Sequence, residues 1–132
     1  MAFNRQQFFN NAVRGIIQQG GPAVTLGGEC RYRTNTGAKC VVGHNIPDKK
    51  YSPKMEGSVP DLNGYYNQHA IDVAKACGIK TEEDVSFARC MQRLHDDLAK
   101  VSPFLPTFVI QARAFAKRYD LDASVCDEYK PS

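Results

Sequence analysis

Apolar residues recur at spacings of three and four from Phe8 to Ile17, where Phe8, Phe9, Ala12, Val13, Ile16 and Ile17 form one broad face. This spacing predicts an amphipathic helix. Asn4 followed three residues later by Gln7 is a capping-box pattern, and Phe3 with Phe8 fills the hydrophobic-staple positions, so the helix starts there. Gly20-Gly21-Pro22 ends it. From Cys30 to Gly43 the period shortens to two: Cys30, Tyr32, Cys40 and Val42 fall on one face, Arg31, Arg33 and Lys39 on the other. Such alternation predicts a β-hairpin. A three-residue loop Asn35-Thr36-Gly37, with Gly37 left-handed, pairs Tyr32 with Cys40 and Cys30 with Val42. A four-residue loop would mix the faces, so register favours three.

Residues 45–63 form a long connection carrying Pro47, Pro53, Gly57 and Pro60, with one helical turn expected near Pro47–Tyr51. Loops of this length are often functional, although an ordered excursion pinned by Ile46, Tyr51 and Met55 explains it equally well. A second helix is expected from Gly64 to Cys77, with Tyr66, Ala70, Val73, Ala74 and Cys77 inward and Gly78-Ile79 closing its C-terminus. Thr81 caps a third, whose first turn holds Glu82, Glu83 and Asp84 as dipole-complementing charges. Its seam is Phe87, Met91, Leu94, Leu98 and Val101. Ser102-Pro103 and Pro106 interrupt the pattern before a fourth helix with Phe108, Ala112, Phe115 and Tyr119 inward, and the last ten residues form a docked or fraying tail. The expected architecture is α+β: a single helix-rich domain over residues 1–132, about four helices with one β-hairpin after the first.

The chain has 132 residues, 17 Lys+Arg and 14 Asp+Glu, for a net charge of +3. This size supports one core with a radius of gyration of about 14 Å. The charge balance is too even for a nucleic-acid coat protein. No window approaches a membrane span, and the N-terminus lacks a secretory signal, so a cytoplasmic protein is expected. Cys30, Cys40, Cys77, Cys90 and Cys126 are an odd, scattered set that reads as reduced thiols.

Several constellations could carry chemistry. Cys30, Cys40 and His44 with His69 or His95 have the ligand types zinc prefers, yet Cys40-x3-His44 is one weak half-site. His95-Asp96 has the residues of a metal-dependent hydrolase if His69 and Asp72 converge on it; a boundary position beside an apolar seam is the plainer reading. Cys40 with His44 could form a nucleophile pair, but a core-facing thiol would be inert. Phosphate-loop, dinucleotide and serine-hydrolase motifs are absent. No cofactor or metal is expected. Arg31, Arg33 and Lys39 form a basic face around Tyr32, and Arg113, Lys117 and Arg118 a second. Either could meet phosphates, with Glu29, Asp48 and Glu56 available to neutralise the first.

The runs Cys30-x-Tyr32-Arg33, Gly37-x-Lys39-Cys40-x-x-Gly43, Ile46-Pro47-Asp48-x-x-Tyr51 and Met55-Glu56-Gly57 resemble a family of small proteins of tailed bacteriophages and prophages. The resemblance extends to the first helix, to Met91-Gln92-Arg93-Leu94-His95-Asp96 and to Ala116–Leu121. It departs at Ser102-Pro103-Phe104, where such proteins often carry a tryptophan. It implies a phage-derived accessory role with no established reaction. Combined with the residues, the expectation is a non-enzymatic protein that binds a bacterial host protein, conceivably a defence component, through Arg31, Arg33, Lys39, Asp48, Tyr51 and Glu56. Nucleic-acid binding by the basic hairpin face is the alternative, and a small metal-dependent hydrolase at His95, Asp96 and His69 the second.

Overall fold

Four helices carry the fold: α1 (Arg5–Gln19), α2 (Gln68–Ala76), α3 (Glu82–Leu98) and α4 (Phe104–Arg118). The computed structural model describes residues 3–63 and 67–131. α1 starts where its cap requires, because Asn4 Oδ1 accepts from the Gln7 N–H at 2.9 Å and the Phe3 and Phe8 rings lie 5.4 Å apart. It stops at Gly20, left-handed at φ 83°. Thr81 Oγ1 accepts from the Asp84 N–H, and the Asp84 carboxylate in turn holds Arg5 at 2.7 Å, tying the starts of α3 and α1 together.

Three expectations shift at helix ends. α2 begins at Gln68, with the Asn67 side chain accepting from the His69 N–H. Gly64, Tyr65 and Tyr66 lie outside the described residues. Val101 falls beyond α3 and is exposed, so it leaves the seam. α4 begins at Phe104 and contains Pro106, which is tolerated because first-turn N–H groups have no partner within a helix.

Phe9, Phe87 and Phe108 are fully buried among α1, α3 and α4. Phe87 meets Phe8, Phe115 and Tyr119 at 5.1 to 5.9 Å between ring centroids. Each such ring contributes roughly 2–3 kcal/mol of burial. The C-terminal segment docks as a 3-10 turn at Ser124–Glu128, burying Val125 and Cys126, while Arg14 and Arg113 hold Glu128 and Asp127 at 2.7 Å. No helix among the described residues is long and apolar enough to cross a membrane.

The β-hairpin does not form. The described residues contain no strand, only two isolated bridges, Val24 with Cys30 and Arg33 with Lys39, so the fold is all-α rather than α+β. The turn sits at Thr34–Gly37, with Gly37 at φ 89°, and the Cys40 N–H reaches Tyr32 O at 3.4 Å. Pairing then ends. Val41 and Val42 are both fully buried, which a period of two forbids, and the chain coils into a 3-10 turn at Gly43–Asn45. Backbone groups that a ladder would pair are taken by side chains instead. Gln19 holds both the N–H and the C=O of Lys39, at 2.9 and 2.8 Å. Gln92 Oε1 accepts from the Val42 N–H at 2.8 Å, and the Asn45 amide donates to Val41 O and Phe8 O.

Candidate functional site

The six residues singled out by sequence converge on one network. Glu56, delivered by the 3-10 turn Pro53–Met55, places its carboxylate against the irregular segment. Oε1 accepts from the Tyr32 N–H at 2.9 Å, and Oε2 accepts from the Arg33 N–H at 3.1 Å and the Tyr51 hydroxyl at 2.6 Å. Arg31 Nε lies 3.7 Å away. Arg33 stacks its guanidinium 4.4 Å from the Tyr51 ring and donates to Ile46 O at 2.8 Å and Asp48 at 2.9 Å. Lys39 adds a 3.6 Å ion pair to Asp48. Charge is largely offset within the cluster: three cations face two carboxylates, leaving one positive charge over. Arg33 and Glu56 are largely covered, whereas the Asp48 side chain is 84% exposed.

The motif is consumed in building this unit. The Tyr32 hydroxyl donates to Ser58 O, Cys40 Sγ accepts from the Gly43 N–H, and Met55 and Ile46 are buried. Gly43 is required sterically, since a Cβ there would lie 2.1 Å from Tyr32 O. Beside the network opens a cavity of about 190 Å³, lined by Cys30, Arg31, Glu56, Ser58, Gln92 and Asp96.

The sequence set Cys30 beside His95 as zinc-type ligands and His95 beside Asp96, but its spacing did not join the three. Their ligand atoms lie within 4.8 Å of one another, the one such group among the described residues. The chemistry is decided by hydrogen bonds. His95 is fully buried, and its Nε2 accepts from the Ala23 N–H at 2.9 Å, so the ring proton sits on Nδ1 and points at Asp96 Oδ1, 3.0 Å away. A metal on Nδ1 would force that proton onto Nε2, against the Ala23 N–H. The residues do not fit a metal centre. Nor is Cys30 an activated nucleophile, because partial burial and then the Asp96 carboxylate push its thiol up to about 11. Asp96 itself is held below the usual carboxylate range; burial opposes this, but hydrogen bonds from His95 and Gln92 prevail.

The other candidates separate. Cys40 is fully buried and burial raises its thiol, so it stays protonated. His44 Nε2 donates to Gln19 Oε1 at 3.0 Å and is not paired with the Cys40 sulfur. Burial, then Lys39 and His95, lower His44 to about 4. His69 pairs with Asp72 on α2 at 3.5 Å and lines a different depression, with Lys50 and Lys54. It does not join His95 and Asp96. Of the second basic face, Arg113 pairs with Asp127 and Arg118 lies over Tyr119.

No protein-family model, curated protein or solved structure matches the chain.

Proposed function

We propose that the chain is a non-enzymatic binding protein, of the phage-accessory kind its motif resembles, that engages a bacterial protein inside the host cell. One observation supports this most: Arg31, Arg33, Lys39, Asp48, Tyr51 and Glu56 come together in a single stiff network whose exposed rim is formed by Asp48, Lys39 and Arg31. A pre-ordered charged rim loses little entropy on binding. The groups with catalytic potential are already engaged: His95 by Ala23 and Asp96, Cys30 by Asp96, and Glu56 by three hydrogen-bond donors and the Arg31 ion pair. Nucleic-acid binding on this face has less support, since its cations already face Glu56 and Asp48.

The test is affinity capture by the tagged protein from bacterial lysate, with and without nuclease and at low and high salt. A stoichiometric protein partner that survives nuclease and is lost with Arg31→Ala/Lys39→Ala is the expected result. Nucleic acid alone, or an empty eluate, refutes the reading. Arg33 is unsuitable for this test, because its removal would also free Ile46 O and uncover Tyr51.

A further inference from the structure

A groove of about 410 Å³ runs between the start of α1, the turn at Asp48–Lys50 and the end of α2. Its lining includes Phe3, Phe8 and Cys77, which give it an apolar floor, while Gln7 and Asn11 from α1 add side-chain amides. Lys50 and Lys75 complete it. An adjoining depression of about 500 Å³ shares Lys50, Lys75 and Ala76 and adds Lys54 and Met55.

The cations here are unpaired, unlike those of the motif network. Among the described residues Lys50, Lys54 and Lys75 take part in no ion pair, and Asp72, the one carboxylate of these residues lining either depression, is paired with His69. The Gln7 side-chain amide likewise has no partner among the described residues. The surface therefore offers three free cations, an apolar floor and a free amide in one continuous recess.

We propose that this recess docks an acidic segment of a protein partner, one that carries an apolar anchor residue. The lysines meet its carboxylates, Gln7 and Asn11 meet peptide N–H and C=O groups, and the floor takes the anchor. A protein segment fits better than a nucleic acid strand, which needs exposed aromatic faces for stacking. Here Phe8 is buried and Phe3, its ring 5.4 Å from Phe8, is only partly exposed. The inference rests on the binding-protein reading and names the partner's chemistry.

The experiment is an amide-resolved NMR titration of the whole chain with three probes: a peptide of alternating glutamate and leucine, one of alternating glutamate and serine, and oligothymidylate. Expected are shifts clustered at residues 7–11, 50–55 and 75–78, tightest binding by the glutamate-leucine peptide, and a loss of roughly tenfold or more in Lys50→Glu/Lys75→Glu. Both lysines are exposed, so the variant should keep the wild-type melting temperature. Shifts elsewhere, tighter oligothymidylate binding, or unchanged affinity in the variant overturn the proposal. In lysate capture, a partner that the variant retains overturns this groove but leaves the binding reading standing. If the wild type captures nothing, the binding reading itself fails.

Discussion

The His44 imidazole fills a notch in α1 at Gly15: a Cβ built on that glycine would lie 2.3 Å from the ring. Glycine inside a helix usually costs about 1 kcal/mol relative to alanine. Here the notch is what lets the segment after the Thr34–Gly37 turn lie against α1, with Gln19 bonding both His44 and Lys39 one turn later.

Gly15→Ala should therefore destabilise the protein by roughly 1–3 kcal/mol, the reverse of its effect on an isolated helix. Urea unfolding measures the difference. Adding His44→Ala should recover most of the loss, and two independent, additive effects would disprove the contact.

His44 also sets a pH dependence. Its value falls from 6.5 to about 4 on folding, so the unfolded chain takes up the proton first. The corresponding stability is fully present above pH 6.5 and is lost as pH falls towards 4. For a partly exposed ring this amounts to roughly 1–2 kcal/mol. Comparing denaturation of wild type and His44→Gln across this window should show the wild type losing more, with parallel curves as the contrary result.

Glu56→Gln replaces one acceptor oxygen by a donor that cannot receive an N–H. Either the Tyr32 N–H or the Arg33 N–H loses its partner, at a cost of about 2–4 kcal/mol. Amide hydrogen exchange should accelerate at residues 32 and 33 well before it does in α1. Unchanged protection would show that the carboxylate is dispensable.

Cys30 should react slowly despite its exposure. A thiol at about 11 against an ordinary 9.0 carries roughly a hundredfold less thiolate at pH 7.5. Iodoacetamide labelling followed by mass spectrometry should find it sluggish, and Asp96→Asn should speed it. Labelling at the rate of a free thiol would contradict the assignment.

Both ends of α1, the end of α2 and the start of α3 were legible because their signals are local. Asn4, Gly20, Gly78 and Thr81 act within a few residues of where they stand. The segment 30–45 misled for the opposite reason. Its alternation matches a strand, but Tyr32, Lys39 and Val42 find their acceptors at Glu56, Gln19 and Gln92, which lie 24, 20 and 50 residues away. Period cannot reveal such partners. The motif network was partly legible, since Asp48 and Glu56 were expected to neutralise the face of Arg31, Arg33 and Lys39. The Cys30, His95 and Asp96 cluster was not, because it depends on how the Val24–Cys30 bridge lies across α3.

Within residues 39–45, Lys39 and Val42 take their backbone partners from amides on α1 and α3, while the turn from Cys40 to Asn45 bonds within itself. A stretch held in this way has only part of its order available locally. It can settle only once both helices have docked, so it should be the last part of the chain to gain protection during refolding.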